Sequence, residues 1–197
     1  MPRTGLSSEM IRSKAIDLAE ERIRKIGFEK IRLIDVAKDL GITHPVLYQH
    51  FPDKAALLEA VTNKWLVNLD QELEKILKIK KKAKLLIIQW FTKLHELKKN
   101  KVSLDPELYK AFDMAAEENK ACIQSHLKNT HMQLSELVTR AMQEGSIRKG
   151  SISKIVEILF LSTMAFHYPK LVALNLNEDQ KSKLREILTV LMDGLIY

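Results

Sequence analysis

The sequence predicts an all-α fold of about nine helices. Three observations carry this. Only six Gly and five Pro occur in 197 residues, while Leu, Ile, Lys and Glu are abundant, a composition of few turns and good helix formers. Apolar residues recur at spacings of three and four along most of the chain, and no run alternates at period two long enough to demand a sheet. Apolar residues make up 46% of a chain long enough to bury a core, which argues against wholesale disorder.

In chain order, residues 1–7 read as a short arm carrying Arg3. A first helix starts at Ser7 or Ser8 and reaches Ile26, with Ile11, Ala15, Leu18, Ala19, Arg22 and Ile26 on its inward stripe and Arg22 as the polar exception. Gly27 terminates it, and Phe28 is expected beneath the next two helices. Leu33, Val36, Ala37 and Leu40 give a short amphipathic helix that Gly41 stops. Thr43 is the N-cap of another, His44 to Phe51, with Pro45 in the first turn, where a missing N–H costs little, and Leu47 and Phe51 on the buried side. Pro52 ends it, and Asp53 caps the following helix.

Two helices joined by a tight Gly-containing turn make a helix-turn-helix. In such a motif the second helix enters the DNA major groove. Its outer side here carries Thr43, His44, Pro45, Val46, Tyr48, Gln49 and His50. Gln49 can pair bidentately with adenine, and Tyr48, His50 and Lys54 suit phosphate oxygens. The same spacing also fits an ordinary αα-hairpin inside a helical protein.

The stretch resembles the N-terminal domain of the tetracycline-repressor (TetR) family of bacterial transcription factors. The matching residues are Gly27-Phe28, Asp35-Val36-Ala37, Gly41-Ile42-Thr43 and Leu47-Tyr48-Gln49-His50-Phe51, then Lys54 and Leu57. The match departs from the family at two places. The family usually has Thr or Ser where this chain has Ile31-Arg32, so Arg32 would supply a charge in place of the usual hydroxyl contact to phosphate. It also favours a small residue where Pro45 stands, a change expected to alter base readout and not the fold. The resemblance implies a helix-turn-helix DNA-binding domain, residues 1–54, and a helical effector-binding and dimerisation domain, residues 55–197.

The helix after Asp53 is expected to continue to about Ile79, on Leu58, Val61, Trp65, Leu69, Leu73 and Ile76, a rod of about 38 Å. Five more follow. Ala83 to Lys99 carries Leu86, Ile87, Trp90, Phe91, Leu94 and Leu97. Asp105-Pro106 opens a helix to about Glu117, with Pro106 at its first position. A long helix reaches about Glu144 on Ile123, Leu127, Leu134, Val138 and Ala141. Ser151 opens another to Tyr168, ended by Pro169, and Asn177 caps the last, which includes Leu195. The last two are apolar over most of their circumference, so each needs cover on more than one side. A thick monomeric core supplies that, and so does a two-fold dimer through a four-helix bundle, which the family resemblance implies. The dimer reading uses Ile155, Leu159, Phe166, Leu184, Ile187, Leu188 and Leu191.

The formal charge is +7, yet residues 1–54 hold ten Lys/Arg against eight Asp/Glu, while residues 75–101 hold ten Lys and one Glu. The basicity therefore lies outside the helix-turn-helix. The lysine run reads as a solvated helix end and loop, or as a patch for DNA or anionic lipid. A single Cys excludes an internal disulfide and a Cys-based zinc site. The N-terminus lacks a signal-peptide core, and the most apolar segment, 155–174, contains Glu157, His167, Pro169 and Lys170, so a cytoplasmic location without membrane insertion is expected.

No G-x-S-x-G, P-loop or G-x-G-x-x-G is present, and Cys122, His126 and His131 cannot all share one helix face, so neither catalysis, a cofactor nor a metal is expected. Trp90, Phe91, His95, Tyr109, Phe112, Met114, Cys122, His126, Phe166, His167 and Tyr168 supply the mix of apolar and polar groups that a ligand pocket uses, though each also reads as core. The expectation is a repressor that binds a palindromic operator in double-stranded DNA as a homodimer and is released by a small-molecule effector. The alternative is a helical interaction protein that sets its lysine-rich segment on an anionic membrane or an acidic partner.

Overall fold

The structure, a computed structural model, describes residues 5–194; Arg3 and Leu195, named above, lie outside the described residues. These residues form ten α-helices and two 3₁₀ turns and contain no strand. α1 (Ser8–Ile26) starts where the Ser7 hydroxyl accepts from the Met10 N–H at 3.2 Å. It buries Ile11, Ala15, Ala19 and Ile23. The predicted stripe is corrected at its end, because Ile26 is exposed and Arg22 lies at the edge, bound to Asp39 at 2.6 Å. Ile23 stands about 100° round the helix from Arg22, and the cost of desolvating a guanidinium leaves the inward place to the isoleucine.

A 3₁₀ turn at Phe28–Lys30 leads to α2 (Leu33–Asp39) and α3 (His44–Tyr48). α4 (Lys54–Leu77) is one unbroken helix, opened by the Asp53 carboxylate, which accepts from the Ala56 N–H at 2.7 Å. α5 (Ala83–Leu104) runs five residues further than predicted, and α6 (Pro106–Glu117) begins with proline at its first position. Asp105 occupies the cap position of α6, but its carboxylate holds Arg24 at 2.7 Å and makes no cap bond.

α7 (Ala121–Gln143) buries Ile123, Leu134, Val138 and Ala141 as predicted, but Leu127 is exposed. The predicted helix from Ser151 to Tyr168 is broken. α8 (Ile152–Ser162) ends at Thr163, whose buried hydroxyl donates back to the Leu159 carbonyl at 2.7 Å. A 3₁₀ turn, Met164–Phe166, follows, and Pro169 starts α9 (Pro169–Leu174) instead of ending a helix, since its fixed φ suits a first helical turn. α10 (Gln180–Gly194) is capped by Asp179, which accepts from the Ser182 N–H at 3.2 Å, and not by Asn177.

The chain packs as two compact units. One comprises the chain up to Leu66 together with Asp105–Ile123; the other comprises Val67–Leu104 and the chain from Gln124 onward. The first unit's core joins Ala15, Ala19, Ile23, Val36, Leu47, Phe51, Leu58 and Val61 to Leu108 and Ala111 of α6. Trp65 closes it with edge-on contacts to Tyr109 and Phe112, at 6.3 and 4.8 Å between ring centroids. α6 thus packs with the head, a membership its sequence position does not reveal. The second unit buries Leu73, Leu86, Ile87, Trp90, Phe91, Val138, Val156, Leu159, Leu184 and Leu188. No helix among the described residues is long and apolar enough to cross a membrane.

Candidate functional site

In the first unit, a helix of only five residues depends on its anchors. Leu47 and Phe51 are fully buried beneath α3. Arg12 of α1 donates to the His50 carbonyl at 3.1 Å and stacks its guanidinium 4.8 Å from the Phe51 ring centre. Arg22 grips Asp39 with two bonds, 2.6 and 2.9 Å, and so fixes α2 to α1. Gly41 makes the turn between the helices at φ +67°, a left-handed conformation that costs other residues strain. At Gly27, φ +86°, the backbone also passes close to Glu107, whose carboxylate accepts from the Phe28 N–H at 3.2 Å.

These anchors leave Thr43, Pro45, Tyr48 and Gln49 exposed, with His44, Val46 and His50 half-buried. Thr43 stands at the cap position of α3 but makes no side-chain cap bond, so its hydroxyl faces outward uncommitted. His44 packs edge-on against Tyr48 at 4.3 Å and orders that ring. Arg32, 72% exposed, is paired to Asp35 at 2.9 Å. Lys54 donates to the Glu29 carbonyl and is half-buried. Arg12 was missed by sequence reasoning, because its role lies in a contact 38 residues away.

Of the predicted pocket residues, Met114 and His167 are half-buried and Tyr168 is exposed, while the rest are buried and divide between the units. Tyr109, Phe112 and Cys122 belong to the first, where burial raises the phenol and pushes the thiol up to about 11. Trp90, Phe91, His95, His126 and Phe166 belong to the second. There, a polar network runs through the core. The Asp70 carboxylate bridges His126 Nδ1, at 2.5 Å, and the Asn129 amide, at 3.0 Å. Gln133 donates to the Asp70 carbonyl at 3.0 Å and accepts from the Trp90 indole at 2.9 Å. Lys98 donates to the His167 carbonyl at 2.8 Å, and burial pushes its amine down to about 7. Sequence reasoning missed Lys98, which reads as one more member of a solvated lysine run.

His95 Nδ1 lies 2.9 Å from the Phe166 carbonyl, so that nitrogen carries the proton. Its Nε2 is then an acceptor, buried without a hydrogen-bond partner among the described residues. Burial also lowers the His95 and His126 pKa values, against the opposing pull of the Phe166 carbonyl on His95 and of Asp70 on His126. An open cavity of about 480 Å³, lined by Val67, Asp70, Glu74, Asn129, Met132, Gln133 and Glu136, reaches this network from outside.

Of the residues expected at a dimer interface, Ile155, Leu159, Phe166, Leu184 and Leu188 are buried within the chain's own unit, and Ile187 and Leu191 are half-buried. The most exposed apolar side chains of α8 and α10 are Ile158, 51% exposed, Leu161, 57%, and Val190, 67%. Between these helices runs an apolar groove lined by Ile155, Ile158, Leu159, Val190, Leu191 and Gly194.

Comparison with known proteins gives two family matches. Residues 15–61 match the family described as bacterial regulatory proteins, tetR family, and residues 83–188 match the tetracyclin repressor-like C-terminal domain. Comparison with curated proteins gave no match. Among solved structures, FadR of Thermus thermophilus in complex with lauroyl-CoA is 17% identical, with 94% of this chain and 95% of that one covered and a TM-score of 0.68. FadR of Bacillus subtilis in complex with stearoyl-CoA is 20% identical, with 93% and 97% covered and a TM-score of 0.62. RolR in complex with resorcinol is 14% identical, with 95% and 88% covered and a TM-score of 0.65. At these identities the structures establish a shared fold, while the C-terminal match alone covers more than half the sequence. The chain therefore belongs to the TetR family of transcription regulators, with a DNA-binding helix-turn-helix at its N-terminus.

Proposed function

We propose that the chain is a cytoplasmic repressor that binds a palindromic operator as a homodimer and leaves it when a small molecule enters the second unit. The observation that carries the DNA-binding part is the anchored α3, which holds Leu47 and Phe51 inward while Thr43, Pro45, Tyr48 and Gln49 face out. Gln49 reads adenine, and Thr43, His44, Tyr48 and His50 meet backbone or base edges. Lys54 and Arg32 neutralise phosphates after releasing Glu29 and Asp35. The functional division remains residues 1–54 for DNA and 55–197 for effector and dimer.

The effector reading rests on the buried polar network. His95 Nε2 needs a donor, which a ligand O–H or N–H supplies, and Trp90, Phe91 and Phe166 offer apolar contact. The acyl-CoA and resorcinol bound by the structural neighbours illustrate how wide a range of ligands this fold serves. α4 is the element that carries the response, since one continuous helix contributes Leu58 to the head core and Asp70 to the network. A ligand acts only through different affinities for the bound and released geometries. The proposed dimer face joins Ile158, Leu161 and Val190 to the groove between α8 and α10, whose lining includes Ile155, Leu159 and Leu191 of the residues expected from sequence.

Two substitutions test the head. Gln49→Ala should lower operator affinity and relax base preference at one position per half-site, by about 1–3 kcal/mol. Tyr48→Ala should weaken binding to all sequences alike. Mobility-shift titrations on matched and single-mismatch duplexes read both effects. Unchanged affinity in both variants would remove α3 from the interface.

A further inference from the structure

The lysine-rich stretch has no task in this account of DNA and effector binding. Part of it lines a groove of about 630 Å³ formed by the end of α4, the outer side of α5 and Arg185 of α10, all within the second unit. That volume is within the range of small-molecule sites. Its apolar lining is Ile76, Ile79, Leu85 and Ile88, and Leu85 is 55% exposed. Its carboxylates, Glu72 and Glu96, are already paired, with Lys75 and Lys181. Lys81, Lys93 and Arg185 make no ion pair among the described residues. The groove thus combines an apolar lining with a net positive charge, Lys75, Lys81, Lys93 and Arg185 against Glu72 and Glu96, with Lys93 close enough to act on Glu72. The backbone is held as well: Arg140 donates to the Leu77 and Lys81 carbonyls, and Glu144 accepts from the Ala83 N–H at 2.8 Å.

We propose that this groove binds one molecule of an anionic amphiphile, a single alkyl chain ending in a carboxylate or phosphate. The chain lies along the isoleucines and Leu85, and the head group sits among Lys81, Lys93 and Arg185. The groove's shape favours a single molecule over a bilayer surface, because Ile76, Ile79 and Ile88 are buried or half-buried between helices and a flat membrane would meet only Leu85. Charge complementarity selects the anion over a neutral or cationic chain. The site is separate from the His95 and Asp70 network and does not depend on the effector reading.

Calorimetric titration of the full chain with dodecanoate and with dodecyl phosphate, each below its micelle concentration, tests the proposal. Saturable one-to-one binding is expected, and comparing the two probes shows which head group is preferred. Lys93→Gln with Arg185→Gln should weaken it by about tenfold. Leu85→Glu, which places a carboxylate in the groove, should weaken it independently, so a folding defect in one variant leaves the other to decide. Dodecanol and inorganic phosphate should each bind far more weakly than the joined molecule. His95→Phe should leave the affinity unchanged. Four results would overturn the proposal: no saturable binding, equal affinity in both groove variants, equal affinity for dodecanol, or loss confined to His95→Phe. Capture by anionic vesicles without binding of the monomeric probes would also overturn it, in favour of plain surface electrostatics.

Discussion

Burial of His167 holds its imidazole down to a pKa of about 3, and the nearby charge of Lys98 pushes the same way. The unfolded chain takes up this proton near pH 6.5, the folded chain only near 3. Stability is therefore complete above pH 6.5 and falls as the pH drops toward 3, by up to about 1.4 kcal/mol per pH unit for this one group. His95 and His126, also lowered by burial, lose stability in the same sense. Urea denaturation from pH 7 to 4 should show a shallower loss for His167→Phe than for the native chain, whatever the variant's stability at pH 7. An identical slope would mean that His167 is not buried as neutral imidazole. At this scale the sequence was partly legible. It identified the outward residues of α3, because helical spacing fixes which side Leu47 and Phe51 occupy. It could not identify Arg12, Lys98 or the partner of Asp105, because each role depends on a residue far away in the chain.

The elements were read more completely than their boundaries. Caps at Ser7 and Asp53 and the proline starting α6 all act over three or four residues, which a local pattern contains. The break at Thr163 and the start of α9 at Pro169 were missed, because an apolar run continues through them and a proline reads as readily as a stop as a start. The turn between α2 and α3 gives a direct test at this scale. A Cβ at Gly41 would meet nothing within 4 Å, so the cost of Gly41→Ala is the left-handed backbone alone. A loss of about 1 kcal/mol is expected in thermal or urea unfolding. No loss would mean that the turn relaxes to another conformation, and the exposed face of α3 would then need a different account.

For the whole molecule, the two compact units do not follow the division drawn from sequence, since α6 joins the head's core through Leu108 and Ala111. Periodicity showed α6 to be amphipathic but could not show which core it enters. The same limit bears on the proposed dimer face. The most apolar helices were identified, yet their most apolar stripe is interior, and the surface falls to Ile158, Leu161 and Val190. Replacing Ile158 and Val190 together with Glu should convert a dimer to a monomer in analytical ultracentrifugation and sharply weaken binding to a full operator. A variant that remains dimeric would place the interface elsewhere.

The measurement closest to the central claim is selection of bound duplexes from a random DNA pool by the purified chain at physiological salt. The account predicts a palindromic motif whose half-site centres lie about 34–36 Å apart, one turn of DNA. Binding without any motif, with affinity falling steeply as salt rises, would contradict it and leave only attraction between lysines and a polyanion.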